Sequence, residues 1–370
     1  MKDLTILIKP VSSLCNMRCR YCFYTDVSKS RDVASYGVMS QSTADRILSN
    51  IFGDMERGDH LTLAFQGGEP TMAGLDFFRH FTEEADRRNS GVRFSYAIQT
   101  NGLLLDEEWC AFLRERRFLV GLSIDGPAAF HNANRVDAGQ KGTFQRVLRA
   151  KRRLDQTGTD YNVLMTLTAS LARHPQQVWR FMEEEDLRFV QLTPCLGSLS
   201  QEDDSYRLTP ERYTQFYIVL FDLWYQSYCR GVLRSVKLFD DLLTLLAFGR
   251  SGACGLLGQC QNQIVVEADG GVYPCDFYVL DEYRAGNLST QTLHQIWEAE
   301  TAGGFLSRPK EPLDLCVECP YRRICGGGCP RMRREVFYAP GGTVCGHRMF
   351  LDKHFPRLRQ LAGVLRSSMP

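Results

Sequence analysis

The sequence lacks the features that would place the chain in a membrane, on nucleic acid or outside the cell. It has no run of about 18 apolar residues, which a membrane-spanning helix would need. The apolar stretch at the N-terminus is too short for a signal peptide. The 370 residues include 44 basic and 43 acidic ones, so the formal net charge of +1 gives no bulk attraction to nucleic acid or acidic lipid. We therefore expect a cytoplasmic protein with no nucleic-acid or membrane partner.

Cysteine, in contrast, is abundant. The chain has 14 cysteines, and most of them lie in three local groups. Because disulfides are rare in the cytoplasm, grouped cysteines indicate metal or cluster ligands. The cysteines outside the groups, Cys110, Cys195 and Cys229, are predicted to be buried small apolar side chains.

Short apolar runs alternate with amphipathic helical stretches over the first half of the chain. Strands are predicted at residues 5–9, 61–65, 93–99, 119–124, 162–167 and 189–193, with helices at 76–88, 107–116, 143–156 and 176–185. This alternation predicts an α/β fold with a parallel sheet, open or rolled into a partial barrel. Ligands gather at the carboxyl ends of such strands, so the polar loops at 66–70, 99–102 and 123–127 mark the expected active-site face.

The chain changes character after this alternating part. Residues 207–250 are predicted to form helices that join two parts of the protein. After Gly252, cysteine and glycine become dense and the apolar periodicity weakens. This composition predicts a small C-terminal region held together by metal clusters rather than by a core of its own.

The first cysteine group, Cys15-x3-Cys19-x2-Cys22, directly follows the first predicted strand. Three cysteines at this spacing can bind three irons of a [4Fe–4S] cube and leave the fourth iron open to a chelating substrate. A zinc site normally has four protein ligands, and no nearby His or Cys supplies the fourth.

This group resembles the signature of the radical S-adenosylmethionine (SAM) superfamily, and Gly67-Gly68-Glu69-Pro70 resembles its GGEP motif. The resemblance implies a partial (β/α)6 barrel, SAM on the open iron, and a 5′-deoxyadenosyl radical formed by reductive cleavage. From the residues alone, a core tyrosine at 24, a cap at Ser123 and a surface charge at Arg135 stay open alternatives. The SAM contacts that the resemblance implies are Tyr24, Gly67, Gly68, Glu69, Ser123, Arg135 and Leu196.

The C-terminal region contains eight more grouped cysteines, enough for two further cubes or for two zinc sites. Their spacing, with Gly270 before Cys275, resembles the SPASM domain, which carries auxiliary [4Fe–4S] clusters. Fully ligated cubes have no vacant iron and serve to move electrons. The resemblance implies Cys254, Cys260, Cys275 and Cys329 for the first auxiliary cluster, and Cys316, Cys319, Cys325 and Cys345 for the second.

Several segments together resemble a narrower family, the anaerobic sulfatase-maturating enzymes. They are residues 8–13, 22–24, 65–70 and 273–278, and the resemblance covers nearly the whole chain. It implies a radical SAM barrel at 1–206, a helical connector at 207–250 and a SPASM domain with a C-terminal helix at 251–370. Its cofactors would be SAM and three [4Fe–4S] clusters.

The same resemblance implies the reaction, oxidation of a Cys or Ser side chain in a sulfatase polypeptide to Cα-formylglycine. The implied partners are an unfolded sulfatase carrying a Cys/Ser-x-Pro-x-Arg motif and a reducing donor such as flavodoxin or ferredoxin. Asp276, directly after Cys275, is the expected general base. Gln66 is the expected contact to the substrate backbone. A turn aspartate and a structural amide are the alternatives at these two positions.

Two other functions stay open. One is a different SPASM enzyme that modifies peptides, for example by linking a cysteine sulfur to an α-carbon. Many such enzymes carry a leader-binding region before the barrel, whereas this chain enters its first predicted strand by residue 4. The other is an iron–sulfur protein that only carries electrons, although such a carrier has no use for an open iron.

Overall fold

A computed structural model describes residues 3–199, 205–261, 263–307, 314–338 and 344–368. In these residues the strands are β1 (Asp3–Ile8), β2 (His60–Phe65), β3 (Arg93–Thr100), β4 (Phe118–Ser123), β5 (Tyr161–Leu167), β6 (Phe189–Pro194), β7 (Ser235–Val236), β8 (Ile264–Val266), β9 (Gly271–Tyr273) and β10 (Gly286–Asn287). The helices are α1 (Phe23–Lys29), α2 (Gln41–Gly53), α3 (Leu75–Arg88), α4 (Glu107–Glu115), α5 (Ala128–Asn134), α6 (Phe144–Thr157), α7 (Pro175–Glu184), α8 (Pro210–Cys229), α9 (Lys237–Phe248), α10 (Leu293–Gly303), α11 (Asp314–Val317), α12 (Arg322–Cys325), α13 (Pro330–Met332) and α14 (Gly346–Ser368).

The chain divides into two compact units that do not follow chain order. Unit 1 comprises Met1–Ser123, Asn132–Tyr161 and Asn262–Pro309, and unit 2 comprises Ile124–His131, Asn162–Gln261 and Lys310–Pro370. The boundaries expected from the sequence, 1–206, 207–250 and 251–370, stay a prediction.

In unit 1 the strands lie in the order β10-β9-β8-β1-β2-β3-β4. The strands β8, β1, β2, β3 and β4 run parallel, while β9 and β10 are antiparallel to their neighbours. Each parallel crossover places a helix on the sheet, and α3 shows why. Its apolar residues Phe77, Phe78 and Phe81 repeat along one face, and all three are buried. Phe78 and Phe81 pack edge-on against Phe65 of β2.

The strands β8 and β9 were not predicted. Ile264–Val266 is only three residues long, but it is fully buried and pairs in parallel with β1, so it belongs to the sheet of unit 1. The hairpin to β9 turns at Gly270, which has a φ of +87°. It leads directly into Cys275 and Asp276.

Unit 2 contains the strands β5-β6-β7 in parallel pairs and the helices α8, α9 and α14. The helices meet through aromatic side chains. Phe221, Phe239 and Phe350 are fully buried, and the Phe239 and Phe350 rings stack with centroids 6.1 Å apart. Among the described residues, no helix is long and apolar enough to cross a membrane.

The predicted alternation of strands and helices is confirmed. Each of the six predicted strands corresponds to one of β1 to β6, and the four predicted helices correspond to α3, α4, α6 and α7. The α/β class with a parallel sheet is therefore correct.

Candidate active site

The first cysteine group lies in the loop between β1 and α1 of unit 1. All three thiols are partly exposed, and Cys22 is the residue before the first turn of α1. Cys15 Sγ accepts hydrogen bonds from the backbone N–H of Met17 at 3.4 Å and from Asn101 Nδ2 at 3.8 Å. Burial raises the pKa of Cys15 to about 11, so binding of iron must displace its proton. Three thiols in one open loop fit a cube with one free iron.

The Gly67-Gly68 turn packs directly on this loop. The N–H of Gly68 donates to Ser12 O and that of Glu69 to Leu14 O, both at 2.8 Å. A Cβ on Gly68 would stand 1.9 Å from Leu14 O, and Gly67 has a φ of +127°. Glycine is therefore required at both positions by backbone contact and conformation.

Glu69 is buried and ties two strand ends together. Its carboxylate accepts hydrogen bonds from the Thr71 and Thr100 hydroxyls and from the N–H of Asn101. Burial raises the pKa of Glu69, and the hydrogen bonds it accepts oppose that rise. The Asn101 side chain in turn donates to Asn16 Oδ1 at 2.8 Å, next to Cys15. Glu69 thus positions the loop of the first cluster from behind.

The other expected SAM contacts have different surroundings. Ser123 is buried at the end of β4. Arg135 is buried, and its guanidinium lies 5.6 Å from the ring centroid of Tyr21, which stands between Cys19 and Cys22. Leu196 belongs to unit 2, where its carbonyl accepts from the Cys195 thiol.

Tyr24 is buried in a cluster of charged groups. Its hydroxyl donates to Glu267, and Glu267 also pairs with Arg31 at 2.8 Å. Lys9 Nζ lies 3.9 Å from the centroid of the Tyr24 ring. Burial raises the pKa of Tyr24 well above its usual range, so the hydroxyl stays protonated. The structure therefore surrounds Tyr24 with Lys9, Arg31 and Glu267, none of which was a predicted site residue.

Asp276 and Gln66 come together although 210 residues separate them. Gln66 Nε2 donates to Asp276 Oδ2 at 2.8 Å. Lys9 Nζ lies 2.6 Å from the other carboxylate oxygen, Oδ1. The Asp276 side chain keeps 16% of its surface exposed, whereas that of Lys9 is fully buried. One hydrogen bond and one ion pair thus fix the orientation of a partly exposed carboxylate, as the role of general base requires.

Four cysteines of unit 2 line one cavity. Burial raises the pKa of Cys325 to about 11 and also raises that of Cys316 and Cys345. A cavity lined by four thiols fits a fully ligated cube. The four cysteines are Cys316, Cys319, Cys325 and Cys345.

Cys254 and Cys329 also come close together in unit 2. A Cβ on Gly255, the residue after Cys254, would lie 2.8 Å from Cys329 Cβ. This proximity supports the expected assignment of Cys329 to the earlier group. Cys260 belongs to unit 2 and Cys275 to unit 1.

Two of the three remaining cysteines are buried as predicted. Cys110 is fully buried and Cys195 is 3% exposed. The prediction is wrong for Cys229, which is exposed because it is the last residue of α8, where the helix leaves the core.

Comparison with known proteins identifies two domains. A radical SAM superfamily model matches residues 10–181, and a model of an iron–sulfur cluster-binding domain, SPASM, matches residues 254–320. With the eleven grouped cysteines, these domains make SAM and three [4Fe–4S] clusters the cofactors of the chain. The zinc interpretation of the C-terminal cysteines is therefore set aside.

Individual relatives match over most or all of the chain. The cysteine-type anaerobic sulfatase-maturating enzyme of Clostridium perfringens is 39% identical over 372 residues, covering 99% of this chain and 100% of that protein. The serine-type enzyme of Bacteroides thetaiotaomicron is 28% identical, covering 90% of this chain and 84% of that protein. The solved structure of native anSMEcpe with bound AdoMet and Kp18Cys peptide superposes with a TM-score of 0.89 at 38% identity, covering 98% of this chain and 99% of that one. The chain therefore belongs to the family of anaerobic sulfatase-maturating enzymes, within the radical SAM superfamily.

Proposed function

We propose that this enzyme oxidises a cysteine side chain in a sulfatase polypeptide to Cα-formylglycine without molecular oxygen. The observation that carries the proposal is the position of the Asp276 carboxylate. It is held by Lys9 and Gln66 and is still partly exposed. Asp276 directly follows Cys275, a proposed cluster ligand. Cysteine is the proposed target because the relative at 39% identity is of the cysteine type and the serine-type relative is at 28%.

The chemistry requires three losses from the cysteine side chain. When bound, SAM and the clusters supply the radical that removes one β-hydrogen atom and the acceptor for one electron. The thiol proton must go to a base, and Asp276 takes it. The product of these losses is a thioaldehyde, and water replaces its sulfur, which leaves as hydrogen sulfide, to give the aldehyde.

The chain's own residues divide into those that hold cofactors and those that hold substrate. Gln66, whose amide nitrogen donates to Asp276, is the proposed hydrogen-bond partner of the peptide backbone. The SAM contacts are Tyr24, Gly67, Gly68, Glu69, Ser123, Arg135 and Leu196. The ligands of the first cluster are Cys15, Cys19 and Cys22, those of the first auxiliary cluster Cys254, Cys260, Cys275 and Cys329, and those of the second Cys316, Cys319, Cys325 and Cys345.

The substrate is an unfolded or nascent sulfatase with a Cys-x-Pro-x-Arg segment. An extended segment is needed because the target side chain must reach a base whose side chain is only 16% exposed. The electron that starts each turnover comes from a small carrier such as flavodoxin or ferredoxin. A reducing compartment, the cytoplasm, suits eleven thiols that must stay available to iron.

The direct test supplies the anaerobically reconstituted enzyme with dithionite, SAM and a short sulfatase-type peptide in three versions, with Cys, Ser or Ala at the target position. Mass spectrometry follows the peptide and 5′-deoxyadenosine. The Cys peptide is expected to be converted to the aldehyde, the Ser peptide more slowly, and the Ala peptide not at all. Formation of 5′-deoxyadenosine with all three peptides unchanged, or a Cys peptide two hydrogens lighter that keeps its sulfur in a thioether, would overturn the proposal.

The base assignment is tested by Asp276→Asn. Removal of a general base typically slows proton transfer by about 10²- to 10⁴-fold. We expect aldehyde formation to fall by that order while 5′-deoxyadenosine formation falls far less. Asp155→Asn is the matched control, because Asp155 also pairs with a buried lysine, Lys151, at 3.0 Å. Equal loss of both products in Asp276→Asn would show a folding or cluster role instead.

A further inference from the structure

Lys9 is a buried cation at the end of β1. Its backbone N–H donates to Val266 O at 2.8 Å, which extends the pairing of β1 with β8. Its side chain has no exposed surface. A buried ammonium group is costly unless an opposite charge lies close to it, so its position is set by its partners.

The Lys9 ammonium group has two neighbours, a carboxylate and an aromatic ring. Nζ lies 2.6 Å from Asp276 Oδ1 and 3.9 Å from the centroid of the Tyr24 ring. A cation over an aromatic face is attracted by the ring but receives no full counter-charge from it. The Asp276 carboxylate supplies that charge, and the ring adds a second attraction for the ammonium group.

Tyr24 is itself fixed by a second ion pair. Its hydroxyl donates to Glu267, which is fully buried and pairs with Arg31 Nη1 at 2.8 Å. Arg31 Nη2 also donates to Ala34 O at 3.1 Å. The charges of Glu267 and Arg31 balance each other, so this pair holds the ring in place while the Lys9 cation stays directed at Asp276.

We propose that Lys9 is a positioning residue for the reaction, which fixes the plane of the Asp276 carboxylate together with Gln66. Lys9 holds Oδ1 and Gln66 holds Oδ2, so rotation of the carboxylate would break both contacts. A misplacement of about 1 Å of a reacting group can cost about 10²-fold in rate. This inference rests on the proposed function, because it assigns Lys9 a role through the proposed base.

The test replaces Lys9 by Met, which has a side chain of similar length but no charge. Lys151→Met is the matched control, since Lys151 is also a buried lysine paired with an aspartate, in α6. Each variant is assayed for formylglycine and 5′-deoxyadenosine, for iron content, and for the Kd of the Cys peptide with SAM and no reductant. A crystal structure of Lys9→Met shows the orientation of Asp276.

For Lys9→Met we expect unchanged iron content, a peptide Kd within about twofold of the wild type, and a ratio of formylglycine to 5′-deoxyadenosine lowered by about ten- to a hundredfold. The Asp276 carboxylate should be rotated away from Gln66 in the crystal. Lys9→Arg, which restores the cation, should recover part of the ratio. The double variant Lys9→Met/Asp276→Asn should be no slower than Asp276→Asn, because Lys9 acts through Asp276.

An unchanged ratio in Lys9→Met, or a double variant markedly slower than Asp276→Asn, would overturn the inference. If Lys9→Met loses iron, the same assays are repeated on Lys9→Gln, whose side chain is uncharged but ends in a polar group. Loss of iron in both variants would assign Lys9 to folding instead. Failure of the proposed function itself has a different signature, because the wild type would then make 5′-deoxyadenosine but no formylglycine.

Discussion

At the scale of single residues, the site depends on contacts that tolerate no added atom. Gly68 touches the backbone of Leu14, and through that contact the GGEP turn supports the loop that carries Cys15, Cys19 and Cys22. The requirement for glycine at position 68 is steric, because backbone atoms cannot move aside as a flexible side chain can.

Gly68→Ala is therefore expected to displace the loop of the first cluster. Its Cβ would stand 1.9 Å from Leu14 O, a distance that requires the backbone to shift. We expect loss of the iron of the first cluster and of SAM binding, measured by iron analysis and equilibrium dialysis. Gly53→Ala is the control, because a Cβ there meets no atom within 4 Å. Full iron content in Gly68→Ala would contradict this description of the turn.

The sequence indicated some of these residues and not others. Local motifs identified Gly67, Gly68 and the cysteines, because spacing along the chain carries that information. Lys9, Arg31 and Glu267 were missed because their partners are distant in sequence; the residue numbers of Arg31 and Glu267 differ by 236. The sequence signal that could have indicated Lys9 was its position directly after Ile8, a buried residue at the end of a strand.

At the scale of elements, periodicity located the longer strands and helices and failed for the short ones. β1 to β6 have six to eight residues, enough for an alternating or apolar pattern. β8 and β9 have three residues each, too few for a pattern, and their place beside β1 depends on pairing between distant parts of the chain. These two strands lead into Asp276 and bring it close to Lys9 and Gln66. The arrangement around the base could therefore not be derived from sequence.

The packing of the helices α8, α9 and α14 leads to a separate prediction about the stability of the protein. Phe350 of α14 is fully buried and stacks on Phe239 of α9. Phe350→Ala should lower the free energy of unfolding by about 3–5 kcal/mol, the usual cost of a Phe-to-Ala change in a core. Val364→Ala, on the same helix but 53% exposed, should change it by less than about 0.5 kcal/mol. Anaerobic urea titration measures both, and equal midpoints would contradict the packing described.

At the scale of the whole molecule, the cysteines divide into sets that should load with iron independently. The four cysteines around the cavity of unit 2 share no residue with the loop of the first cluster in unit 1. A variant with Cys15, Cys19 and Cys22 all changed to Ala should keep about 8 of about 12 iron atoms per chain. It should form no 5′-deoxyadenosine. Iron analysis and iron K-edge or Mössbauer spectra measure this, and complete loss of iron would show that the sets depend on one another.

The most direct test of the whole account follows one hydrogen atom. The reconstituted enzyme is given SAM, dithionite and a peptide whose target cysteine carries two deuterium atoms on Cβ, and both products are analysed by mass spectrometry. Because one β-hydrogen is removed and the other stays, we expect one deuterium in 5′-deoxyadenosine and one in the formylglycine aldehyde. Deuterium-free 5′-deoxyadenosine, or a peptide that keeps both deuterium atoms, would contradict the account.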